Sequence, residues 1–490
     1  MARINTNVSS LIAQHNLNRT NSDLQVRLER LSTGLRINRG ADDPAGLIIS
    51  ERLRSEIQGI GQAIDNAERA SNVLATAEAS LGEVADLLNT LKALTVEAAN
   101  SAGLSKEEIE ANQLQIDSAI DSITRIANTA SFGSLKLLNG SLDYITSSVP
   151  NSAVTDLRVH SVNFGTAESM PVSVEVIASA QKGTLFLSTG TTALPSAVTI
   201  EVAGRRGVEV INFASGTSLT AVVFAINRAS DSTGVSAAIV SGAAAGLSAV
   251  QLSSTDFGSD AFVSVLRVPG TGGDFFQAFD DVGAGGTARH RDAGEDVLAL
   301  VNGSLALGRG LKVQLNTTSL KLEMQLDVDY AQTTGPASVK NFTITGGGAA
   351  FQLGPSVESS QQVGVGISSV VANRLGNSDV GFLSSIVSGG DNSLVNGKAR
   401  ESSQIIDEAI VQVSVLRGRL GAFERNTLQT NVRSLQISLE NITAAESRLR
   451  DTDFAEEVSR LTRAQVLTNV GTSVLATANS SIQNVLSLLQ

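Results

Sequence analysis

The stretch "LSTGLRINRGADDPAGL" (residues 31–47) decides the fold, because one helix ends within it and another begins. Its polar middle, residues 36–43, offers no apolar face on which the first helix could continue. Asp43 and Pro44 then predict a new helix, with Asp43 as the N-cap and Pro44 at the first helical position, where a backbone N–H is not needed. The chain therefore begins with a helix, a polar connection and a second helix.

The first helix carries leucines at the spacing of a coiled coil. Residues 24, 28, 31 and 35 are separated by four, three and four positions, which places them on one helix face. Because this face has nothing to cover it within its own segment, it needs a facing helix. Its leucines, with two nearer the start of the chain, are Leu11, Leu17, Leu24, Leu28, Leu31 and Leu35.

Length and composition indicate a folded chain of several domains. With 490 residues, 42% of them hydrophobic, the chain is too long for one ordinary core. Aromatic residues make up only 3% and tryptophan is absent. The cores must therefore be built from Leu, Ile, Val and Ala, which favours packed helices and small β modules.

Charge and cysteine content exclude several classes of function. A formal net charge of −12 disfavours nucleic acid as a partner, because phosphate binding needs clustered Lys and Arg. The chain has no cysteine, which excludes disulfides and thiolate metal sites. The first residues lack the apolar run of a cleaved signal peptide, and no apolar stretch of ~18 residues predicts a membrane span.

The rest of the N-terminal region is also predicted to be helical. Apolar stripes in residues 57–98 face two sides, which is typical of a bundle interior. Ser105 followed by Glu108 predicts a capping box that opens a third helix. The first stripe includes Leu74, Leu81 and Leu88.

The C-terminal end mirrors this pattern. Residues 451–453 predict a helix cap, and a final helix is expected from about Phe454 to Leu489. Apolar positions precede the cap at Leu435, Leu439 and Ile442. In the final helix they include Leu475, Ile482, Leu486 and Leu489.

The middle of the chain has a different character. Residues 149–348 are rich in Gly, Ser, Thr and Val, and alternating runs such as 172–178 and 198–204 predict strands. One unit, residues 207–240, predicts a strand, a helix capped by Thr217 or Ser218, a turn and another strand. The sequence thus predicts an α+β multidomain protein, in which both chain ends form a long helical coiled-coil bundle around an inserted β-rich module.

Apolar faces that reach both chain ends favour self-assembly. The two ends are expected to pair with each other, yet each carries more apolar surface than one partner helix covers. Burial of apolar area is favourable by roughly 25 cal/mol per Å², and repeated heterologous contacts give a helical filament when they do not close. A monomeric helical bundle with a β insert is the alternative.

Catalytic motifs are missing from the sequence. The three histidines, His15, His160 and His290, form no metal-ligand spacing. The stretch "GGDNSLVNGKA" has the wrong glycine spacing for a phosphate loop and Ala399 in place of Ser or Thr. An enzyme is therefore the weaker hypothesis, and no catalytic residue, metal or cofactor is expected.

Two long stretches closely resemble the helical ends of bacterial flagellins. They are "LSTGLRINRGADDPAGLIISERLRSEI" (31–57) and "RLRDTDFAEEVSRLTRAQVLTNVGTSVLATANSSIQNVLSLLQ" (448–490). The resemblance covers about the first 140 and last 140 residues. It implies an extracellular filament subunit for swimming motility, exported unfolded by the flagellar type III apparatus without a cleaved signal peptide. The implied partners are further copies of the chain, an export chaperone, hook-associated proteins and the filament cap.

The resemblance assigns roles to these residues. Residues 1–43 and 452–490 would pair as inner terminal helices, with Leu11 to Leu35 opposite Leu475 to Leu489 at the filament interface. Residues 44–148 and 346–451 would form an outer-layer bundle with a β-hairpin. Its core residues would be Leu74, Leu81, Leu88, Leu435, Leu439 and Ile442. Asp42, Asp43, Pro44 and Gly46 would form the spoke and helix start that lead to this layer.

The resemblance also places the insert. "LLNGS" (137–141) and "FQLGPSVESSQQVGVGISS" (351–369) match two parts of a hairpin that is nearly continuous in short flagellins. Residues 149–345 would thus be a surface-exposed insert. Its unit at about 207–265 resembles the hook IN motif of some flagellins and hook-associated proteins.

One segment departs from the family pattern. The Toll-like receptor that senses flagellin reads a helix corresponding to residues 88–100, which includes Thr90, Leu91, Ala93 and Leu94. Where the family often has Arg and Glu, this chain has Thr90 and Ala93. Arginine is a frequent interface hot spot, so the sequence predicts weak recognition by this receptor.

Two other functions stay open at this point. A hook–filament junction protein shares the helical ends and the IN motif, but it would not polymerise alone on seeds. Alternatively, the insert acts as a displayed adhesin or enzyme on a filament subunit. Deletion of about residues 150–345, followed by motility and surface-binding assays, separates these alternatives.

Overall fold

The computed structural model describes residues 6–100, 103–165, 167–188, 193–241, 248–268, 277–281 and 286–487. The chain divides into two compact units. The first comprises Met1–Ala70, Gln352–Val357 and Arg425–Gln490, and the second comprises Ser71–Phe351 and Glu358–Glu424. Each unit is described by itself.

Helices occupy both ends of the chain, and shorter ones lie in the middle. The α-helices are α1 (Val8–Thr33), α2 (Pro44–Ala98), α3 (Lys106–Thr129), α4 (Leu219–Arg228), α5 (Ser230–Thr233), α6 (Val328–Gln332), α7 (Ala399–Phe423), α8 (Gln429–Arg450) and α9 (Phe454–Ser487). A π-helical turn, Glu424–Leu428, follows α7 directly. Along the helices that the structure describes, none is long and apolar enough to span a membrane.

Strands occupy the middle of the chain. They are β1 (Ser131–Phe132), β2 (Leu135–Lys136), β3 (Tyr144–Ser147), β4 (Val154–Val162), β5 (Met170–Ala178), β6 (Thr184–Ser188), β7 (Val198–Gly204), β8 (Val208–Phe213), β9 (Val235–Ser241), β10 (Ser248–Ser254), β11 (Phe262–Arg267), β12 (Gln277–Phe279), β13 (Arg291–Ala293), β14 (Leu298–Val301), β15 (Ser304–Arg309), β16 (Lys312–Asn316), β17 (Leu320–Leu326), β18 (Lys340–Gly347), β19 (Ala349–Gln352), β20 (Gln362–Val365), β21 (Gly376–Asn377) and β22 (Gly381–Phe382).

In the first unit, α1 and α9 pack side by side in antiparallel directions. The Asn7 amide at the start of α1 donates to the backbone oxygen of Ala478 near the end of α9, at 3.0 Å. Near the other end of the pair, Arg27 reaches Glu457 at 3.1 Å. The sequence prediction that the two chain ends pair is thus confirmed. The sequence left open whether the helices run parallel or antiparallel, and in the structure they are antiparallel.

The first helix ends earlier than its leucine spacing predicts. Gly34 adopts φ +71 and its N–H donates to the backbone oxygen of Arg30, which closes α1 at Thr33. This left-handed conformation is easy for glycine, and it is a common helix terminator. Leu35 therefore lies outside the helix, in an isolated antiparallel bridge with Asp451.

The connection between α1 and α2 is held by backbone contacts with the segment between α8 and α9. The N–H of Arg36 donates to the oxygen of Arg450 at 2.6 Å, and the N–H of Thr452 donates to the oxygen of Gly34 at 2.9 Å. Ile37 is 1% exposed in this connection. The connection between α1 and α2 and the connection between α8 and α9 are therefore hydrogen-bonded to each other.

In the second unit, the helical part has an aliphatic core. The predicted capping box at the start of α3 is present, with Ser105 and Glu108 each bonded to the other's backbone. Gln113 on α3 is buried, donates to the backbone oxygen of Ile386 and accepts from the N–H of Leu394, both at 2.8 Å. Residues with at most 2% exposure include Leu74, Leu81, Leu88, Ile116, Ile120, Ile123, Ile405, Ile406 and Val413.

The larger β module is one eight-stranded sheet in the order β3-β18-β5-β14-β15-β16-β17-β4. Its strands show the alternation that the sequence predicts: β5 and β17 bury every second residue. The core on one face contains Phe342, Tyr330 and many valines and leucines. Because one face of each strand is buried, the register is fixed.

The smaller β module consists of two four-stranded sheets, β12-β6-β10-β9 and β13-β11-β7-β8, which share a core with α4. Ser218 caps α4 by accepting from the N–H of Ala221, and Gly234 leads into β9. This confirms the predicted order of strand, capped helix and strand in residues 207–240. The predicted turn is the one-turn helix α5.

Candidate assembly surface

The face of α1 that meets α9 repeats at steps of three and four residues. Its members are buried or partly buried, and several of them are small or polar. Such a 3.5-residue repeat is typical of a coiled-coil seam. The positions are Ser10, Ala13, Leu17, Thr20, Leu24, Arg27 and Leu31.

The facing residues of α9 follow the same repeat. Gly471 lies against Leu17, and a Cβ atom at Gly471 would stand 3.2 Å from the Leu17 side chain. Small residues therefore let the two helices approach closely, as in other tightly packed helix pairs. The positions are Glu457, Leu461, Ala464, Thr468, Gly471, Leu475 and Ala478.

The seam contains one desolvated ion pair. The side chain of Glu457 is 5% exposed, and that of Arg27 is 17% exposed. Arg27 also bonds Asp23 one turn earlier at 2.9 Å. Burial acts to lower the pKa of Arg27, but its hydrogen bonds to Asp23 and Glu457 raise that pKa above its ordinary value. The pair thus fixes the register of the two helices.

Further apolar side chains of α1 and α9 lie outside the seam. On α9, residues 466, 470 and 474 share one face and line an open groove with Asn469, Ser473, Thr477 and Ala478. Contiguous exposed apolar surface of this kind marks an interaction site. The exposed residues are Val8, Leu11, Ile12 and Leu28 on α1, and Phe454, Val458, Val466, Leu467, Val470 and Val474 on α9.

The predicted interface leucines divide between these two faces. Leu11 is 60% exposed and Leu28 is 49% exposed, so both lie outside the seam. The seam contains Arg27, one position before Leu28. The leucine spacing in the sequence instead predicts Leu28 at this place. Partly buried members of the prediction are Leu17, Leu24, Leu31, Leu35 and Leu475. Ile482 and Leu486 belong to α9, but their side chains, like all of Leu489, lie outside the described residues.

The start of α2 is built as the sequence predicts. The carboxylate of Asp43 accepts from the N–H of Gly46 at 2.9 Å, and the helix begins at Pro44. A Cβ atom at Gly46 would lie 2.5 Å from that carboxylate and 2.8 Å from the Ile37 side chain, so a larger residue here would displace both side chains. Asp42 accepts from the N–H groups of Arg39 and Asn38, and the bond from Arg39 is the main cause that lowers the pKa of Asp42.

The six predicted outer-bundle residues fall into both compact units. Leu74, Leu81 and Leu88 are fully buried in the second unit. The other three lie on α8 in the first unit and are partly buried: Leu435, Leu439 and Ile442.

The predicted receptor segment lies on α2. Leu91 is fully buried and Leu94 is partly buried, whereas Thr90 and Ala93 are exposed. Between them, Lys92 bonds Asp407 of α7 at 2.5 Å. The two side chains in which this chain departs from the family pattern are therefore on the accessible side of the helix.

Sequence reasoning missed the small and charged residues of the seam. Ala13 and Ala464 are among its most buried members, and Glu457 is 4% exposed. A search that followed spacing alone, without requiring large apolar side chains, finds the run from Glu457 to Ala478. Its steps of four and three residues are unbroken.

Among the described residues, the terminal helices offer packing surface. Within the described ranges, no three His, Cys, Asp or Glu side chains are grouped so that they could hold a metal ion. What the terminal helices present is a set of exposed aliphatic side chains along a paired scaffold.

Comparison with protein families identifies three matching regions. The model described as the bacterial flagellin N-terminal helical region matches residues 4–143, and the C-terminal helical region matches residues 403–489. The flagellin hook IN motif matches residues 198–256. This match begins earlier than the unit read from the sequence, and it includes β7, which pairs with β8 along its length.

Similar proteins cover the whole chain. The B-type flagellin of Pseudomonas aeruginosa strain PAO1 is 31% identical over 502 residues, with 99% of each chain covered. A flagellin of Salmonella choleraesuis strain SC-B67 is 30% identical over 521 residues, with the same coverage. A flagellar hook-associated protein-3 of Legionella pneumophila is 13% identical, covers 81% of this chain and 98% of its own, and has a TM-score of 0.29.

Proposed function

The chain belongs to the bacterial flagellin family and is a structural subunit of the extracellular flagellar filament, and from this premise we propose how its two ends drive assembly. The α1–α9 seam holds the two ends of one chain together. The exposed aliphatic residues outside that seam bind neighbouring copies. The observation that carries this proposal is the exposed face of Val466, Val470 and Val474 on a helix that is already paired on its other side.

The energetic argument follows from the burial of these side chains. Full burial of an exposed valine or leucine contributes about 1.5–3 kcal/mol, and the side chains on this face are about half exposed in the subunit. Several such residues per helix therefore favour association, and heterologous repetition of one contact produces a helical polymer. Leu11 and Leu28 take part in this second contact, whereas Leu17, Leu24, Leu31 and Leu475 act within the subunit.

We assign three regions to this polymer. Residues 1–43 with 452–490 form the inner layer, residues 44–148 with 346–451 form the outer helical layer, and residues 149–345 form the exposed insert. The buried Leu74, Leu81 and Leu88 support this role for α2, because they give it a rigid core. Asp42, Asp43, Pro44 and Gly46 set the chain direction between the layers.

A truncation tests the assembly role directly. Deletion of residues 480–490 is expected to leave a soluble subunit that does not elongate filament seeds. A deletion of about residues 150–345 is the matched control, because it removes more of the chain yet leaves both terminal helices intact. Normal filaments from the C-terminal truncation contradict the proposal.

Export and host recognition are finer parts of the proposal. We infer export in an unfolded state with a dedicated chaperone, and contacts with hook-associated and cap proteins at the filament ends. Recognition by the Toll-like receptor is weak, since Thr90 and Ala93 offer no charged groups on the exposed side of α2.

A further inference from the structure

A cavity of about 620 Å³ lies in the second unit beside β4. Its wall includes His160 and Arg158 of β4, Glu323 of β17 and Arg419 of α7. The wall also contains the ionisable residues Asp143, Tyr144, Asp156 and Arg374. Because the cavity is partly open, water and protons reach these groups, although several of them are largely buried.

His160 is held between two opposite charges. Its side chain is 14% exposed, and its Nε2 lies 3.8 Å from an oxygen of Glu323. Its Nδ1 is in contact with a guanidinium nitrogen of Arg419. A guanidinium only donates hydrogen bonds, so Nδ1 must accept. The imidazole is therefore neutral in this arrangement, with its proton on Nε2 towards Glu323.

Arg419 joins three segments of the unit at this point. Its second terminal nitrogen donates to the backbone oxygen of Gly366 at 2.8 Å. The N–H of Gly366 in turn donates to the backbone oxygen of His160 at 2.9 Å. Helix α7, strand β4 and the segment after β20 are thus connected through one side chain, and this connection needs an acceptor on His160.

The surrounding charges favour the neutral imidazole. Burial is the main cause that lowers the pKa of His160 below 6.5, and the nearby guanidinium groups of Arg419 and Arg158 act in the same direction. The hydrogen bond and the charge of Glu323 oppose them. Arg419 stays protonated at neutral pH, since burial lowers its pKa only to about 10.

We propose that His160 is a pH-sensitive latch, which holds α7 against β4 while its imidazole is neutral and releases Arg419 when it is protonated. A protonated His160 has no acceptor for Arg419 and places two cations in contact. The contribution of the latch to stability is complete above pH 6.5 and is lost as the pH falls through the lowered pKa. Acid therefore loosens the joint between α7 and the eight-stranded sheet.

The wild-type chain allows a direct test, since it has only three histidines. Full-length monomer labelled at the histidine Cε1 carbon is titrated by NMR, and the resonance of His160 is assigned with His160→Gln. We expect a midpoint below 6.5 for this resonance. A midpoint at or above 6.5 overturns the proposal. The titration itself is made on the wild-type chain, and the variant serves only to assign the resonance.

Amide hydrogen exchange measures the release itself. After correction for intrinsic exchange rates, protection of residues 157–162 and 415–420 should fall roughly tenfold between pH 7.5 and a pH one unit below the His160 midpoint found by NMR. The hydrogen bond with His160 is the main cause that lowers the pKa of Glu323, which favours the ionised form of this carboxylate. Unchanged protection at the lower pH overturns the latch.

Two variants separate the latch from other effects of acid. His160→Gln keeps a side-chain oxygen that accepts from Arg419 at any pH, so its protection should stay within about twofold between the two pH values. The exposed His290→Gln is the matched control and should behave like the wild type. Asp143→Asn removes a second titratable group of the wall, whose pKa burial raises, and the fall should persist in it. A fall of equal size in His160→Gln overturns the proposal.

Discussion

The guanidinium of Arg27 lies 3.1 Å from the carboxylate of Glu457, across the two helices that begin and end the chain. These residues are 430 positions apart in sequence. Because Glu457 is nearly inaccessible to water, the ion pair is part of the seam and not of the surface. It connects the two chain ends in one register.

Removal of Arg27 should therefore weaken the terminal pair strongly. Arg27→Leu leaves the carboxylate of Glu457 buried without its partner, and loss of one member of a buried pair costs about 3–5 kcal/mol. We expect filaments of this variant to dissociate at a lower temperature, measured by light scattering. Asp23→Asn is the control, because Asp23 is half-exposed, and should change the free energy by less than about 1 kcal/mol. Equal dissociation temperatures for both variants contradict this assignment.

The outward face of α9 should be sensitive to charge. Val470→Glu places a carboxylate in the exposed valine groove, and each buried valine contributes about 1.5–3 kcal/mol. The critical concentration for growth on seeds should rise by roughly tenfold or more. Thr472→Glu, exposed on the same helix but outside the groove, should leave growth nearly unchanged. Similar inhibition by both substitutions indicates a general effect of charge.

The helical core of the second unit should depend on Leu88. This side chain is fully buried on α2, so Leu88→Ala should lower the free energy of unfolding by about 2–5 kcal/mol. Val96→Ala removes an exposed side chain from the same helix and should change it by less than about 0.5 kcal/mol. Denaturant unfolding followed by circular dichroism measures both. A small effect of Leu88→Ala argues against a packed core at this position.

The effect of pH on stability through Asp143 should be opposite to the effect through His160. Desolvation is the main cause that raises its pKa, so the folded state binds its proton more tightly than the unfolded state. Stability contributed by this group therefore falls as the pH rises above 3.8. Asp143→Asn keeps the oxygen that accepts from the N–H of Tyr144 and should raise the melting temperature at pH 7. A lower melting temperature indicates that the carboxylate is stabilised by its arginine neighbours.

Receptor signalling should increase when the family pattern is restored. Thr90→Arg combined with Ala93→Glu adds charged groups on the exposed side of α2 without disturbing the buried Leu91. We expect a tenfold or larger gain in a reporter-cell assay, since an arginine hot spot contributes about 2 kcal/mol or more. Val96→Arg on the same helix is the control for added charge. Full-strength signalling by the unmodified monomer contradicts the prediction of weak recognition.

Local chemistry in the sequence predicted where three of the helices begin. Asp43 with Pro44, Ser105 with Glu108, and Ser218 all begin helices where their side chains accept backbone N–H groups. Caps depend on residues within one turn, so the sequence contains the whole signal. The alternation in residues 172–178 and 198–204 likewise predicted β5 and β7, in which every second residue is buried.

The sequence did not predict which individual residues pair across distant elements. The leucine spacing favoured Leu28 for the seam, but Arg27 occupies it because Glu457 stands opposite on a helix more than 400 residues away. The contact of His160 with Arg419 likewise joins a strand to a distant helix. Such pairs depend on which elements meet, and the sequence of one element does not contain that information.

Spacing and near neighbours along the chain were enough to predict the helical ends, the β-rich middle, the caps and the family resemblance. The packing of α1 against α9 sets their antiparallel direction, and it places Arg27 and Glu457 in the seam beside leucines and small residues. Direction and register depend on how two distant helices fit together, as where Gly471 lies against Leu17. The side chains left outside that seam are then free to bind the next subunit.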